Sequence, residues 1–183
     1  MIIWLDGVPG VGKTQITSIL KEELSENVEI LNSDYYFQKF FYELQVKASK
    51  AGILPAIQGT YPQSNKDFLN KFRELIESKI GEEKLVLVDM ALTRDECKER
   101  LFDYFEKKKI PAIHIILEAT DDNILNRIKS SPNRTLEFYE ENISFLKNHY
   151  SEAIRVNTNS FNEKEVAKEV FNIIKENSLN KQI

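Results

Sequence analysis

An α/β fold with a parallel sheet is what this sequence predicts, and three observations carry that expectation. Apolar strand-like runs alternate with helix-spaced amphipathic segments almost throughout the chain. The octet Gly7-Val8-Pro9-Gly10-Val11-Gly12-Lys13-Thr14 fits G-x-x-x-x-G-K-[ST] and stands between an apolar strand and an amphipathic helix. At 183 residues, 42% hydrophobic and 30% charged, the chain has the length and composition of one well-buried globular domain, taken here as 1–183.

The elements follow in order. Ile2 to Leu5 reads as the first strand, and Thr14 to Glu26 as a helix with Ile16, Ile19, Leu20 and Leu24 on one face. Val28 to Leu31 is the second strand, closed by Asn32-Ser33-Asp34, and an aromatic-rich helix runs from Tyr35 to about Lys50. The Gly- and Pro-bearing stretch 51–66 is a loop whose length suggests a functional insertion. Ser64 to Ser78 returns to helix, so 35–80 as a whole is expected to be a helical, substrate-binding insertion. Lys84 to Asp89 is a buried strand, Thr93 to Lys108 a charged amphipathic helix, and Ala112 to Leu117 the next strand. Asp121 or Asp122 caps a helix reaching Lys129, and Ser130-Ser131-Pro132-Asn133 breaks it, which makes 127–136 a candidate lid. A helix at Leu136 to Asn148, a strand at Ala153 to Val156 and a helix at Asn162 to Glu176 complete the pattern, and 179–183 is expected to fray.

Bulk properties exclude several classes. A net charge of −4 argues against broad nucleic-acid binding. No apolar run approaches the ~20 residues of a membrane helix, and the first strand leaves no room for a signal peptide. One cysteine, Cys97, suits a reducing cytosol and a cytoplasmic protein. Cys97, in a helical pattern, reads as a packing or surface residue. His114, inside a strand, and His149, near a helix end, have no ligand-spaced partner.

The octet carries the chemistry. Its glycines (Gly7, Gly10, Gly12) let main-chain N–H groups approach phosphate oxygens, with Val8, Pro9 and Val11 completing the loop. Lys13 is placed to reach the β- and γ-phosphates, and Thr14 to ligate Mg²⁺. The helix that follows points its positive dipole end at the same anion. Asp89, at a strand's carboxyl end, is the second candidate for the Mg²⁺ site, although a cap for the Thr93 helix is an alternative. Asp34 is placed to accept a proton from an attacking hydroxyl, and Ser33 or Asp34 can equally cap the helix that follows. Arg127 and Arg134 bracket the lid break and suit transition-state charge stabilisation, while Arg94 is a weaker phosphate candidate. The aromatics Tyr35, Tyr36, Phe37, Phe40, Phe41, Tyr42 and Tyr61 either stack a planar substrate or form core.

The ordered set of phosphate loop, Asp34, Asp89 and Arg127/Arg134 resembles the small P-loop kinases. That superfamily holds nucleoside monophosphate kinases, shikimate and gluconate kinases and chloramphenicol phosphotransferase. Met1-Ile2-Ile3-Trp4-Leu5-Asp6-Gly7 through Lys13-Thr14-Gln15, and Ala153 to Ser160 leading into Val166-Ala167, resemble the tunicamycin-resistance ATP-binding proteins. Leu31-Asn32-Ser33-Asp34 and Asp89-Met90-Ala91-Leu92-Thr93 resemble the kinase domain of phage polynucleotide kinase, whose catalytic aspartate is the counterpart of Asp34. One departure stands out: Phe37 occupies the place of that family's substrate-phosphate arginine. The resemblance implies a P-loop NTPase fold, with a five-stranded parallel sheet of order 2-3-1-4-5, helices on both faces and a lid. It also implies an adenine pocket near Asn157 to Asn159, with ATP and Mg²⁺ as cofactors. The expected activity is phosphoryl transfer to a small-molecule acceptor: a nucleoside, nucleotide or antibiotic. The alternatives are an ATP-binding switch or drug-resistance binding protein with little turnover, and a polynucleotide 5′-hydroxyl kinase.

Overall fold

The computed structural model describes residues 1–24, 28–50, 62–81, 85–129, 136–159 and 162–179. Five strands form one sheet: β1 (Ile2–Asp6), β2 (Val28–Asn32), β3 (Leu85–Asp89), β4 (Ala112–Glu118) and β5 (Ile154–Asn157). All pair in parallel, in the order β2-β3-β1-β4-β5. β1 is central and lies between β3 and β4, which is why Ile2, Ile3, Trp4 and Leu5 form an unbroken apolar run with almost no exposed surface. Trp4 packs its indole against Phe102 and Phe105, each with ring centroids 6.1 Å away.

The helices follow the expected segments closely. α1 (Lys13–Glu23) lies against α8 (Glu163–Leu179), and α3 (Lys66–Gly81) packs on β3. α2 (Ser33–Lys50) meets α3 through an aromatic cluster. In it Phe37 packs edge-on to Phe41 (4.4 Å) and Phe68 (4.9 Å), and Phe68 stacks on Phe72 (5.2 Å). Most of the aromatics after Asp34 therefore serve helix packing, while Tyr35 is 61% exposed.

The segment expected as one helix from Thr93 to Lys108 is α4 (Asp95–Cys97) and α5 (Asp103–Lys107) joined by a π-helical stretch, Lys98–Phe102. α6 (Asp121–Lys129) and α7 (Leu136–His149) flank the expected lid break. Tyr61, Arg134 and most of the 51–66 loop lie outside the described residues. Among those described, no helix is long and apolar enough to cross a membrane.

Candidate functional site

The site grows from the carboxyl end of β1. Gly7 adopts φ 140°, and a Cβ there would sit 2.7 Å from the Leu117 carbonyl oxygen of β4, so only glycine fits. Gly12, at φ 106°, caps α1 without a side-chain hydrogen bond, and no acidic residue occupies the helix's first turn. The amino end of α1 thus presents main-chain N–H groups and positive dipole to the cleft. Val8 and Val11 are buried behind the loop and brace it. The Lys13 ammonium bends back over the loop and donates to the Gly7 carbonyl at 2.5 Å, with the Val8 carbonyl at 3.4 Å.

Opposite the loop, β3 delivers Asp89, which is 3% exposed. Its Oδ2 accepts from Asn32 Nδ2 at 2.7 Å. Thr17 Oγ1, which donates to the Lys13 carbonyl at 2.8 Å, lies 3.3 Å from the same oxygen. Burial pushes the Asp89 carboxyl above its ordinary value, against the lowering effect of the Lys13 charge and the Asn32 bond. Asp89 caps no helix: its hydrogen bonds run sideways to β2 and α1.

Asn32 settles the capping question at α2. Its Oδ1 accepts the Tyr35 N–H at 2.9 Å, so the cap is Asn32 rather than Ser33 or Asp34. Asp34 sits exposed in the first turn of α2 with its carboxylate available to the cleft.

These groups meet in one cavity of about 370 Å³. Pro9, Gly10, Gly12, Lys13, Thr14 and Gln15 line its phosphate-loop side, Ser33, Asp34, Gln63, Met90 and Ala91 its opposite wall, and Asp89 and Arg127 complete it. Arg127 donates to the Val11 carbonyl (3.4 Å) and the Thr158 carbonyl (3.0 Å), joining α6, the phosphate loop and the turn after β5.

The cavity does not reach every residue singled out in the sequence. Asn157 is exposed and spends its Oδ1 on the Asn159 N–H at 2.8 Å, away from the cavity lining. Arg94 pairs with Glu141 at 2.8 Å and also stays off the lining. Cys97 is fully buried, and burial pushes its thiol up to about 12, as suits a packing residue. His149 stacks on Phe145 near the end of α7.

Sequence reasoning gave no site role of their own to Asn32, Ser33 as a wall residue, Met90, Ala91 and Thr17, and did not single out Gln63 or Thr158 individually. Ser33, Met90 and Ala91 stood inside the two segments that carry the resemblance, beside Asp34 and Asp89, so adjacency alone could have given them a place in the wall. Gln63 and Thr158 fell inside the 51–66 loop and the 157–159 stretch already singled out, but carried no signal of their own within them. His114 has a partner that spacing could not reveal: Asp6, at the end of β1, lies 3.0 Å from its Nε2.

The comparisons with known proteins bear on this arrangement. A family model described as an AAA domain matches residues 2–152. No curated protein matches the chain. Among solved structures, the tunicamycin resistance protein of Deinococcus radiodurans superposes with a TM-score of 0.71 at 18% identity, covering 94% of each chain. A sugar kinase from Janibacter sp. HTCC2649 gives a TM-score of 0.60 at 11% identity, covering 93% of this chain and 92% of that one. Shikimate kinase from Bacteroides thetaiotaomicron gives 0.51 at 17% identity, covering 96% and 98%.

Proposed function

Since the chain belongs to the AAA domain family and has a P-loop kinase-like fold, we propose that it is a Mg²⁺- and ATP-dependent phosphotransferase acting on a hydroxyl-bearing small molecule. One observation carries this reading. Lys13, Asp34, Asp89 and Arg127, drawn from four separate elements, line a single cavity at the amino end of α1. Each has one role to fill in phosphoryl transfer, where catalysis is mostly positioning and charge neutralisation.

In this reading the N–H groups of Gly10, Gly12, Lys13 and Thr14, which line the cavity, cradle the triphosphate, and the Lys13 ammonium moves from the Gly7 carbonyl onto the β- and γ-phosphate oxygens. The donor set suits Mg²⁺, which keeps most of its waters and takes one or two protein oxygens plus phosphates. Thr14 would supply a hydroxyl and Asp89 a carboxylate to hold it, and the ion would neutralise phosphate charge there. Asp34 accepts the acceptor's hydroxyl proton as the new O–P bond forms and the bond from the γ-phosphorus to the β,γ-bridging oxygen breaks, with ADP as the leaving group. Arg127, with Arg134 of the lid, stabilises the charge on the transferring group. The turn at 157–159, to which Arg127 is bonded, borders the nucleotide's base.

The acceptor wall narrows the class. Ser33, Gln63 and Asp34 offer a hydroxyl, an amide and a carboxylate, groups that hydrogen-bond to hydroxyls, and Met90 and Ala91 offer apolar contact. Asp34 and Asp89 place two carboxylates in the cavity, and Asp34 adds a small upward push on the Asp89 carboxyl behind burial and against the Lys13 charge. An uncharged acceptor such as a nucleoside, sugar or neutral antibiotic suits this wall better than one bearing a further phosphate or carboxylate. Among the structural neighbours the sugar kinase falls in this class, whereas the shikimate kinase, whose acceptor carries a carboxylate, does not.

The test is ADP release with Mg·ATP across paired acceptors, each uncharged compound set beside its phosphorylated or carboxylated form. Acceptor-dependent ADP from the uncharged members is expected. Turnover with the anionic members alone would overturn the acceptor class. Mg·ATP binding with no acceptor signal at all would favour a nucleotide-dependent switch.

A further inference from the structure

Asp6 is a carboxylate with no exposed surface at the end of an otherwise apolar strand, a costly place for a charge unless every oxygen is satisfied. Its Oδ1 accepts two main-chain N–H groups: Gly7, the first residue of the phosphate loop, at 2.6 Å, and Leu92, three residues past Asp89, at 3.0 Å. Its Oδ2 accepts from His114 Nε2 of β4 at 3.0 Å. The His114 ring is held in turn by Tyr150 (centroids 4.6 Å) and Phe102 (5.0 Å). Tyr150, the residue after α7, donates its hydroxyl to the Leu92 carbonyl at 3.0 Å. Both main-chain polar groups of Leu92 are therefore fixed, one by the end of β1 and one by the end of the helix that follows the lid.

One oxygen atom thus ties the start of the phosphate loop to the segment that carries Asp89 and the wall residues Met90 and Ala91. We propose that Asp6, His114 and Tyr150 form a positioning clamp that sets the gap between the phosphate loop and the Asp89 segment, and so sets how strongly Mg²⁺ and ATP reinforce each other's binding. The proposal rests on the nucleotide-binding reading above. None of the three residues lines the cavity, so they are positioning residues, acting through Gly7 and Leu92.

The experiment measures ATP affinity by calorimetry in EDTA and in Mg²⁺ for the unsubstituted chain and for Tyr150→Phe, His114→Phe and His114→Gln. Tyr150→Phe removes one hydroxyl. His114→Phe keeps a ring between Tyr150 and Phe102 but removes the donor, and His114→Gln restores a donor. The expected result is unchanged affinity in EDTA, with the tightening caused by Mg²⁺ reduced about tenfold in the two Phe variants, the scale on which outer partners of a metal ligand act. His114→Gln should recover most of it. An unchanged Mg²⁺ effect in folded Tyr150→Phe overturns the clamp, as does an equal loss with and without Mg²⁺. If His114→Phe fails to fold, Tyr150→Phe alone decides the matter. An unsubstituted chain that binds no ATP removes the nucleotide reading itself, and that result is distinct from a lost Mg²⁺ effect.

Discussion

Between β1 and α1 the cleft is lined largely by main chain, whereas between α2, Gln63 and the segment after β3 it is lined by side chains from distant parts of the sequence. The first flank offers N–H groups, suited to phosphate, whose direction follows from the positive φ angles of Gly7, Gly10 and Gly12. The second recognises whatever Ser33, Asp34, Gln63, Met90 and Ala91 together fit. Main-chain recognition needs particular backbone angles, and those leave a compact trace in eight consecutive residues. Side-chain recognition leaves no such trace, because its parts are joined only by folding.

That contrast can be sharpened by substitution. Asp34→Asn strikes the side-chain flank alone, so turnover should fall by about 10²–10⁴-fold, the range for a lost general base, with ATP affinity unchanged. Matched losses in turnover and ATP affinity would make Asp34 a structural part of the nucleotide site. Lys13→Ala strikes the other flank and should cost about 10²–10³-fold in turnover together with ATP affinity, while thermal unfolding stays near that of the unsubstituted chain. Normal turnover in that variant would remove the kinase assignment.

Asp89 belongs to both flanks, and its effect is on stability. Burial raises its folded-state value above the 3.8 of an ordinary aspartate. Between those two values the folded chain holds the proton and the unfolded chain does not, so stability falls as pH rises through the window and stays reduced above it. Asp89→Asn removes this cost. Without ligand it should melt about 2–4 °C higher at neutral pH, the shift that ~1 kcal/mol produces at this chain length. The difference should vanish below the ordinary aspartate value, and the variant should lose the Mg²⁺ enhancement of ATP binding. Melting curves across pH decide it: an advantage that persists in acid would assign the effect to packing.

How much of this was legible beforehand follows the same division. The strand positions and the phosphate loop follow from contiguous patterns, and the sheet order from the family resemblance, and the structure bears these out. Asp89 was visible because a carboxylate ending an apolar strand is a local signal. The cap of α2 was misassigned because Asn32, Ser33 and Asp34 are three consecutive good caps, and only the hydrogen bond to Tyr35 chooses between them. The π-helical stretch Lys98–Phe102 escaped because one extra residue per turn barely disturbs a 3.6-residue pattern over so short a run. Asn157 was placed at the base by resemblance, yet its side chain closes a local turn while Thr158 takes the bond from Arg127. Asp6 and His114 are 108 positions apart, and only the parallel pairing that sets Trp4 beside His114 brings them to one face.

Trp4 gives the molecule an internal reporter. It is the only tryptophan of the chain, it is 1% exposed, and it lies in the central strand against Phe102 and Phe105. Its fluorescence therefore originates from the sheet core, on the strand that leads into the phosphate loop but outside the cavity. A dry indole emits toward the blue and shifts red when water reaches it. Emission should follow global unfolding as one signal and stay nearly silent when small molecules occupy the cleft, so stability and occupancy can be read separately from one sample without attaching a dye.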